Sequence, residues 1–167
     1  GGVIEGRFEA VLDVDFDKLA GLKGLTGHAN AYQIHGRGLS TDHIGNITTS
    51  TGIEAPRDTR LFTLWLQQSL MDDFVNVRVG ELAADDEFIT SQYSALFMNS
   101  VYGWPSSLAI NLPGGGPAYP LAAPGVRIRI GGSDPWSFQT AVFDGDPTAG
   151  GKPNHSGAIF PMNDGAF

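Results

Sequence analysis

Cysteine is absent from the 167 residues, which excludes a disulfide scaffold, thiol catalysis and cysteine-ligated zinc. Basic residues are also few, with 10 Lys and Arg against 18 Asp and Glu, so the chain lacks the basic stripe of a nucleic-acid-binding protein. No apolar run approaches the 18 residues of a membrane-spanning helix. A membrane-spanning β-strand needs only about 9–11 residues of alternating polarity, so this possibility stays open.

The first stretch of the chain alternates with a period of two residues. Apolar or small residues occupy every second position from Ile4 to Phe16, and charged residues fill most positions between them. This period is typical of a β-strand with one apolar face and one polar face. The polar face must contact water, because burying an unpaired charge costs several kcal/mol. We expect one face to carry Ile4, Phe8, Leu12 and Phe16, and the other to carry Glu5, Arg7, Glu9 and Asp13.

Five further segments have the composition or the alternation of strands, which predicts an all-β chain of about six strands. They lie at 25–35, 59–70, 74–82, 125–130 and 136–143. The connections between them alternate between short and long, as in an outer-membrane barrel with brief turns on one side and long loops on the other. A soluble β-sandwich is the alternative. Six strands are too few to close a barrel, which needs about eight, so we expect an open sheet.

The connection at 83–124 is too long for a structureless loop in a compact domain. Its part from Asp85 to Phe97 begins with acidic residues and continues with aromatic and aliphatic ones. This pattern predicts a short helix with an acidic first turn. The part at 111–124 is rich in Gly and Pro and is predicted to be irregular.

Six segments resemble the carbohydrate-selective porin (OprB-type) family and follow one another in the family's order. They are AYQIHGRGLS at 31–40, TRLFTLWLQQ at 59–68, VRVGELAADDEF at 77–88, NSVYGWP at 99–105, INLPGGGPAYPLAAPGVRIRI at 110–130 and DPWSFQTAVFDGDP at 134–147. The resemblance implies a transmembrane antiparallel β-barrel of 16 strands in the bacterial cell outer membrane. Residues 1–167 would be a single incomplete, N-terminal-proximal segment of that barrel, and 83–124 would be its constriction loop.

Arginine, glutamate and tryptophan side chains are the candidates for the pore lining and for sugar contact. The planar guanidinium group carries five donors that can grip pairs of sugar hydroxyls, a carboxylate supplies acceptors, and a flat ring packs against the C–H face of a pyranose. The alternatives are structural ion pairs along the inner wall and aromatic girdles at the membrane interface. The predicted site residues are Arg60, Arg78, Glu81, Arg127, Arg129, Trp65 and Trp104. The predicted lipid-facing or girdle residues are Phe8, Phe16, Phe62, Phe74 and Phe138.

No pattern in the sequence indicates an enzyme, a cofactor or a bound metal. The four histidines lack a ligand spacing, and Asp144-Gly145-Asp146 lacks the rest of a calcium loop, so it is predicted to form a turn. The family resemblance implies a channel for passive, carbohydrate-preferring diffusion of small sugars (monosaccharides), surrounded by outer-membrane lipid and forming a homotrimer, without nucleic acid. The alternatives are a soluble β-rich glycan-binding module and a general porin with weak sugar preference.

Solubility separates the channel from the glycan-binding module. A soluble module would bury the apolar face of 4–16 against a second sheet, whereas a porin exposes this face to lipid. We expect the protein to stay in solution only with detergent, as measured by sedimentation after detergent removal. A monodisperse, detergent-free solution would favour the glycan-binding module.

Overall fold

The computed structural model describes residues 2–108, 110–132, 135–148, 150, 152, 154–160 and 162. Six antiparallel strands form one sheet in which each strand pairs with its neighbours in sequence. The strands are β1 (Gly6–Asp15), β2 (Leu25–His35), β3 (Asp58–Leu70), β4 (Val75–Leu82), β5 (Ala123–Ile130) and β6 (Phe138–Phe143). Within the described residues β1 and β6 do not pair with each other, which confirms the expected open sheet.

Helical elements are short and lie in the connections. The described part of the chain has two α-helices, α1 (Phe16–Ala20) and α2 (Ala84–Glu87), and one π-helix at Leu39–Ile44. Single 3₁₀ turns occur at Ser94–Leu96, Ser100–Tyr102, Ser106–Leu108 and Pro113–Gly115. Among the described residues, no helix has the length and apolar composition needed to cross a membrane.

The two faces of β1 differ as its alternation predicts. On one face, Arg7 lies over the ring of Tyr32, Glu9 accepts a hydrogen bond from Asn30, and Asp13 contacts His28. On the other face, Phe8 and Leu12 are 70% and 61% exposed. We call the face of Arg7 the inner face and that of Phe8 the outer face. Residues that are paired between neighbouring strands point to the same side of the sheet. The inner and outer faces of β1 therefore continue across all six strands.

The end of β1 corrects the predicted strand boundary. Phe16 does not belong to β1 but begins α1, because the Asp15 carboxylate accepts a hydrogen bond from the backbone N–H of Lys18 and caps the helix. The Phe16 ring still lies against Gly27, the partner of Val14 on the outer face. Alternation therefore predicted the side of the sheet for Phe16 but not its secondary structure.

A β-bulge in β3 overturns the prediction that Phe62 faces lipid. Asn30 pairs with Thr63 and the next residue of β2 pairs with Leu61, so Phe62 is left without a partner in the ladder. A bulge brings two successive side chains towards the same side. Phe62 and Thr63 are accordingly both 2% exposed, and the Phe62 ring packs on Tyr32. Strict alternation cannot anticipate the additional residue of a bulge.

The hydrophobic core lies on the inner face at the end of the sheet where the long connections leave. Its buried members are Tyr32, Ile34, Phe62, Ala83 and Ala122, and Ala55 and Tyr119 pack against them. The core thus joins two strands, β2 and β3, to both long connections. Backbone hydrogen bonds from Gly52 to Met98 and from Ser100 to Thr49 tie the two connections together.

The predicted helix in the long connection is present but shorter than expected. It occupies Ala84–Glu87 instead of most of the predicted 85–97, and Phe88 is already extended. Ile89 and Thr90 are β-branched residues, which lower helix propensity. In addition, the Gln139 side chain donates a hydrogen bond to the Glu87 carbonyl at 2.6 Å. This contact with β6 satisfies the end of the helix in place of a further turn.

Gly80 is required by the close approach of β4 to β3. Its φ angle is 144°, and an added Cβ would collide with the Leu64 carbonyl oxygen and lie 2.7 Å from the Trp65 Cα. We expect Gly80→Ala to destabilise the fold by about 1–3 kcal/mol, measured as a lower urea midpoint in detergent micelles. The control is Gly52→Ala, whose Cβ would have its nearest neighbour at 3.9 Å. Equal midpoints for the two variants would contradict this account of Gly80.

Candidate functional site

The inner face of the sheet holds two arginines side by side beneath α2. Arg78 of β4 and Arg127 of β5 are directly paired in the register, so their side chains share one face. Like charges placed opposite each other destabilise a sheet. The Glu87 carboxylate bridges them, with one oxygen 2.5 Å from Arg78 Nη1 and the other 3.0 Å from Arg127 Nε. The last residue of α2 therefore neutralises the repulsion between two strands.

Gln67 of β3 completes the bridge between the arginines. Its side-chain oxygen accepts hydrogen bonds of 2.9 Å from Arg78 Nη2 and from Arg127 Nη2. The side chains of Arg78, Arg127 and Glu87 are only 19%, 5% and 6% exposed. We call Gln67, Arg78, Glu87 and Arg127 the bridged arginine cluster. Hydrogen bonds between charged groups in such partly desolvated surroundings are stronger than those in water.

Trp65 supports this cluster from β3. The His28 ring stacks on the indole at 4.9 Å with an interplanar angle of 13°, and Arg78 Cζ lies 3.6 Å from the indole centroid. His28 and Arg78 come from the two strands that flank β3, so the indole stands between them. The Asp13 carboxylate in turn holds His28, at 2.6 Å from Nδ1. Trp65 therefore orients Arg78, and its stacked faces are occupied by protein groups rather than open to a pyranose.

The structure places the other predicted arginines above and below the cluster. Arg60 is opposite Tyr32 near the hydrophobic core, is 8% exposed, and its Nε has no hydrogen-bond partner among the described residues. Arg129 lies towards the short turns, 41% exposed, with the Asp73 carboxylate 3.9 Å away. The four predicted arginines thus follow the inner face from the long connections to the short turns.

Trp104 and Glu81 lie apart from the bridged arginine cluster. Trp104 is half-buried in the long connection, and its Nε1 lacks a hydrogen-bond partner within the described part of the chain. Glu81 pairs with Leu64 and Pro124, on the face of Val79 and Val126. These residues line an apolar cavity of about 430 Å³. Glu81 is only 4% exposed to solvent there.

The carboxylate beside the arginines is Glu87, which sequence reasoning missed. Alternation from Arg78 already puts Glu81 on the opposite face, so this signal was available in the sequence. Glu87 could have been suggested by the acidic run Ala84-Asp85-Asp86-Glu87 at the start of a loop predicted to fold inwards. Its contact with two strands depends on how that loop packs, which no local pattern reports.

The two other acidic residues of α2 have different surroundings. Asp85 is half-buried and accepts a hydrogen bond from the Tyr119 N–H at 3.0 Å, and burial raises the pKa of its carboxyl. Asp86 is exposed on the open side of α2. Desolvation by the nearby wall, followed by the Asp85 and Glu87 carboxylates, raises the pKa of Asp86 to about 6. Asp86 therefore changes charge close to neutral pH.

No arrangement for metal chemistry occurs in the part of the chain that the structure describes. No group of three or more His, Cys, Asp or Glu side chains there could hold a metal ion. The Asp144 side chain accepts a hydrogen bond from the Asp146 N–H at 2.9 Å, and Asp146 accepts one from Thr148. These local bonds are typical of the turn that the sequence predicted.

Comparisons with known proteins agree on one family. The model of the family described as "Carbohydrate-selective porin, OprB family" matches residues 3–167. The chain is 22% identical to Porin B of Pseudomonas aeruginosa over 152 residues, which cover 85% of this chain and 32% of that protein. The high-pH structure of Pseudomonas putida OprB superposes with a TM-score of 0.73 at 20% identity, over 91% of this chain and 38% of that one.

The chain spans about a third of the length of the relatives that it matches. The structural likeness shows that its six strands have the fold of part of a porin barrel. The family model covers nearly the whole chain, including all six strands and both long connections. The chain belongs to the carbohydrate-selective porin family of OprB type.

Proposed function

We propose that this chain forms the constriction region of an outer-membrane channel through which small sugars diffuse passively into the periplasm. The observation that carries the proposal is the Glu87 bridge, which fastens a helix of the long connection to two arginines on the polar inner face. In this proposal 83–124 is the constriction loop, because α2 projects from the wall over that face. Further strands of the complete porin would close the barrel around it.

The two faces of the sheet support a location in the outer membrane. The outer face presents large apolar side chains on five of the six strands, among them Phe8 at 70%, Val79 at 51% and Val142 at 62% exposure. The inner face carries the arginines, Glu9, Asn30, Gln67 and Gln139. An apolar band outside and a polar wall inside are typical of a transmembrane barrel. The partners would be small sugars in the lumen, outer-membrane lipid around it and, as a prediction, two further copies in a homotrimer.

Sugar preference would arise from several weak contacts at the bridged arginine cluster. A conducting site must release what it binds, so a donor that the protein already pairs suits it better than a free charge. The side chains of Arg78 and Arg129 are 19% and 41% exposed, so these guanidinium groups can offer donors to a sugar hydroxyl. Asp86, which is exposed and precedes Glu87 on α2, supplies a hydrogen-bond acceptor. Arginine donors facing carboxylate acceptors also produce a lateral field that orders polar molecules.

A general porin with weak sugar preference is the second candidate. A general porin would have the same polar wall but would pass sugars and other small polar solutes of similar size equally well. Competition between glucose and an uncharged polyol of similar size, measured as flux into liposomes, separates the two candidates.

The first prediction of this proposal concerns two inner-face arginines. In the complete porin, Arg78→Ala combined with Arg129→Ala should lower apparent sugar affinity by about fivefold or more, because charge-assisted hydrogen-bond donors are lost. Ion selectivity should shift towards cations, since two positive charges leave the lumen. Liposome swelling and bilayer reversal potentials measure the two effects.

The matched control removes two exposed arginines of the first long connection, Arg37 and Arg57, by substitution with alanine. This control should leave sugar flux and ion preference close to wild type. Unchanged sugar rates and ion preference in the Arg78 and Arg129 variant would remove these residues from the permeation path.

The second prediction concerns pH. Above about pH 6 the Asp86 carboxylate is charged and favours cations in the lumen, and below this pH it becomes neutral. Cation preference should therefore fall as the pH decreases through 6, measured as the reversal potential in a salt gradient. Asp86→Asn should remove this step. The difference between the two curves isolates Asp86 from the groups that face it, which are His28, Arg78, Asp85 and Glu87.

A further inference from the structure

Tyr119 is the residue through which the long connection is fixed at its other end. Its hydroxyl donates a hydrogen bond to the Ile53 carbonyl at 2.8 Å, and its backbone N–H donates one to Asp85 Oδ2 at 3.0 Å. Ile53 belongs to the first long connection and Asp85 to α2. One residue thus joins both connections at the end of the sheet where they leave.

The Tyr119 ring is held against the wall of the sheet. It packs edge-to-face on Tyr32, with centroids 5.6 Å apart, and on Phe62, with centroids 5.9 Å apart. The guanidinium of Arg7 lies 5.2 Å from the Tyr119 ring and 4.3 Å from the Tyr32 ring. Aromatic pairs and cation–π contacts of this geometry stabilise the packing beyond the apolar area that they bury. The bulge that turns Phe62 inwards therefore creates part of the surface on which the Tyr119 ring packs.

The position of α2 depends on such contacts because a helix of this length is not stable by itself. It has four residues and no side-chain cap at its N-terminus, and isolated helices shorter than about 12–15 residues are marginal in water. At its start, Asp85 is bonded to Tyr119, and the Ala84 N–H donates to the Pro117 carbonyl at 2.6 Å. At its end, the Glu87 carboxylate contacts the two arginines, and the Glu87 carbonyl accepts the hydrogen bond from Gln139.

We propose that Tyr119 is a positioning residue that holds α2 at the height where the Glu87 carboxylate reaches both Arg78 and Arg127. The inference rests on the proposed function, since it concerns the same constriction. When the Tyr119 side chain is truncated, the ring no longer fixes the Tyr119 backbone against the wall. The N–H that binds Asp85 then loses its fixed position, and Glu87 leaves the two arginines for part of the time. The lumen then exposes unneutralised positive charge, and the donors that meet a sugar are no longer fixed.

The test compares Tyr119→Ala with Tyr102→Ala in the complete porin. Tyr102 is an aromatic residue of the same connection that stacks on Phe97 and is 53% exposed, so its loss leaves α2 untouched. Tyr119→Ala should shift the reversal potential towards anions and weaken sugar block of the current by about fivefold, the effect of one lost hydrogen bond. Tyr102→Ala should behave as wild type. Tyr119→Phe, which keeps the ring and the N–H, should keep most of the wild-type selectivity and sugar block.

A double variant shows whether Tyr119 acts through Glu87. Glu87→Gln alone should shift selectivity towards anions, and adding Tyr119→Ala to it should cause little further change, because the shared contact is already lost. A general loss of stability would instead add to the Glu87 effect. Additive shifts would overturn the positioning role.

The remaining outcomes separate this inference from the proposed function. If Glu87→Gln changes selectivity and folded Tyr119→Ala does not, the positioning role is wrong and the constriction stands. If wild-type porin shows no sugar block, the proposed function itself fails. If Tyr119→Ala does not fold, Asp85→Ala compared with Asp85→Asn decides, because both remove the carboxylate charge and only Asn keeps an oxygen acceptor for the Tyr119 N–H. A larger anion shift in folded Asp85→Ala than in Asp85→Asn supports the tether, and equal selectivity of the two variants overturns it.

Discussion

Two guanidinium groups on adjacent strands repel each other, and this constraint shapes the inner side of the protein. Arg78 and Arg127 are paired in the register, and Glu87 lies between them with Gln67. The carboxylate comes from a loop rather than from a strand, so neutralising the pair also draws the long connection against the wall. Electrostatic compensation and the docking of the long connection on the inner face are therefore one structural event. The arginines keep their charge and donors without an unpaired charge being buried.

The supports of this cluster extend over nearly the whole width of the sheet. Asp13 on β1 holds His28 on β2, His28 stacks on Trp65 of β3, and the indole orients Arg78 of β4. On the far side, Gln139 of β6 holds the end of α2. Each member is fixed by a neighbour on the next strand, which limits the side-chain freedom of the arginines. A substitution in β1 or β2 can thus affect the cluster without touching it.

The hydrophobic core and the bridged arginine cluster occupy different heights of the inner face. Near the long connections, aromatic rings from β2, β3 and Tyr119 bury apolar surface, which contributes roughly 25 cal/mol per Å². Below them, polar and charged groups line the wall. The bulge at Phe62 marks the change, since it turns an additional ring inwards just above Thr63. The residues that anchor the loops are consequently different from those that form the charged part of the wall.

The sequence by itself determined the strands, their order of short and long connections, and the sides of β1, because these follow from a local period of two residues. It also identified Arg78 and Arg127 as inner-face residues, since both alternate with valine and isoleucine. Only the tertiary structure decided that Phe62 turns inwards, that the Trp65 ring faces are occupied, and that Glu87 rather than Glu81 meets the arginines. Those outcomes depend on a bulge, on cross-strand stacking and on the path of a long loop. Each joins residues distant in the chain, and a local pattern carries no information about such contacts.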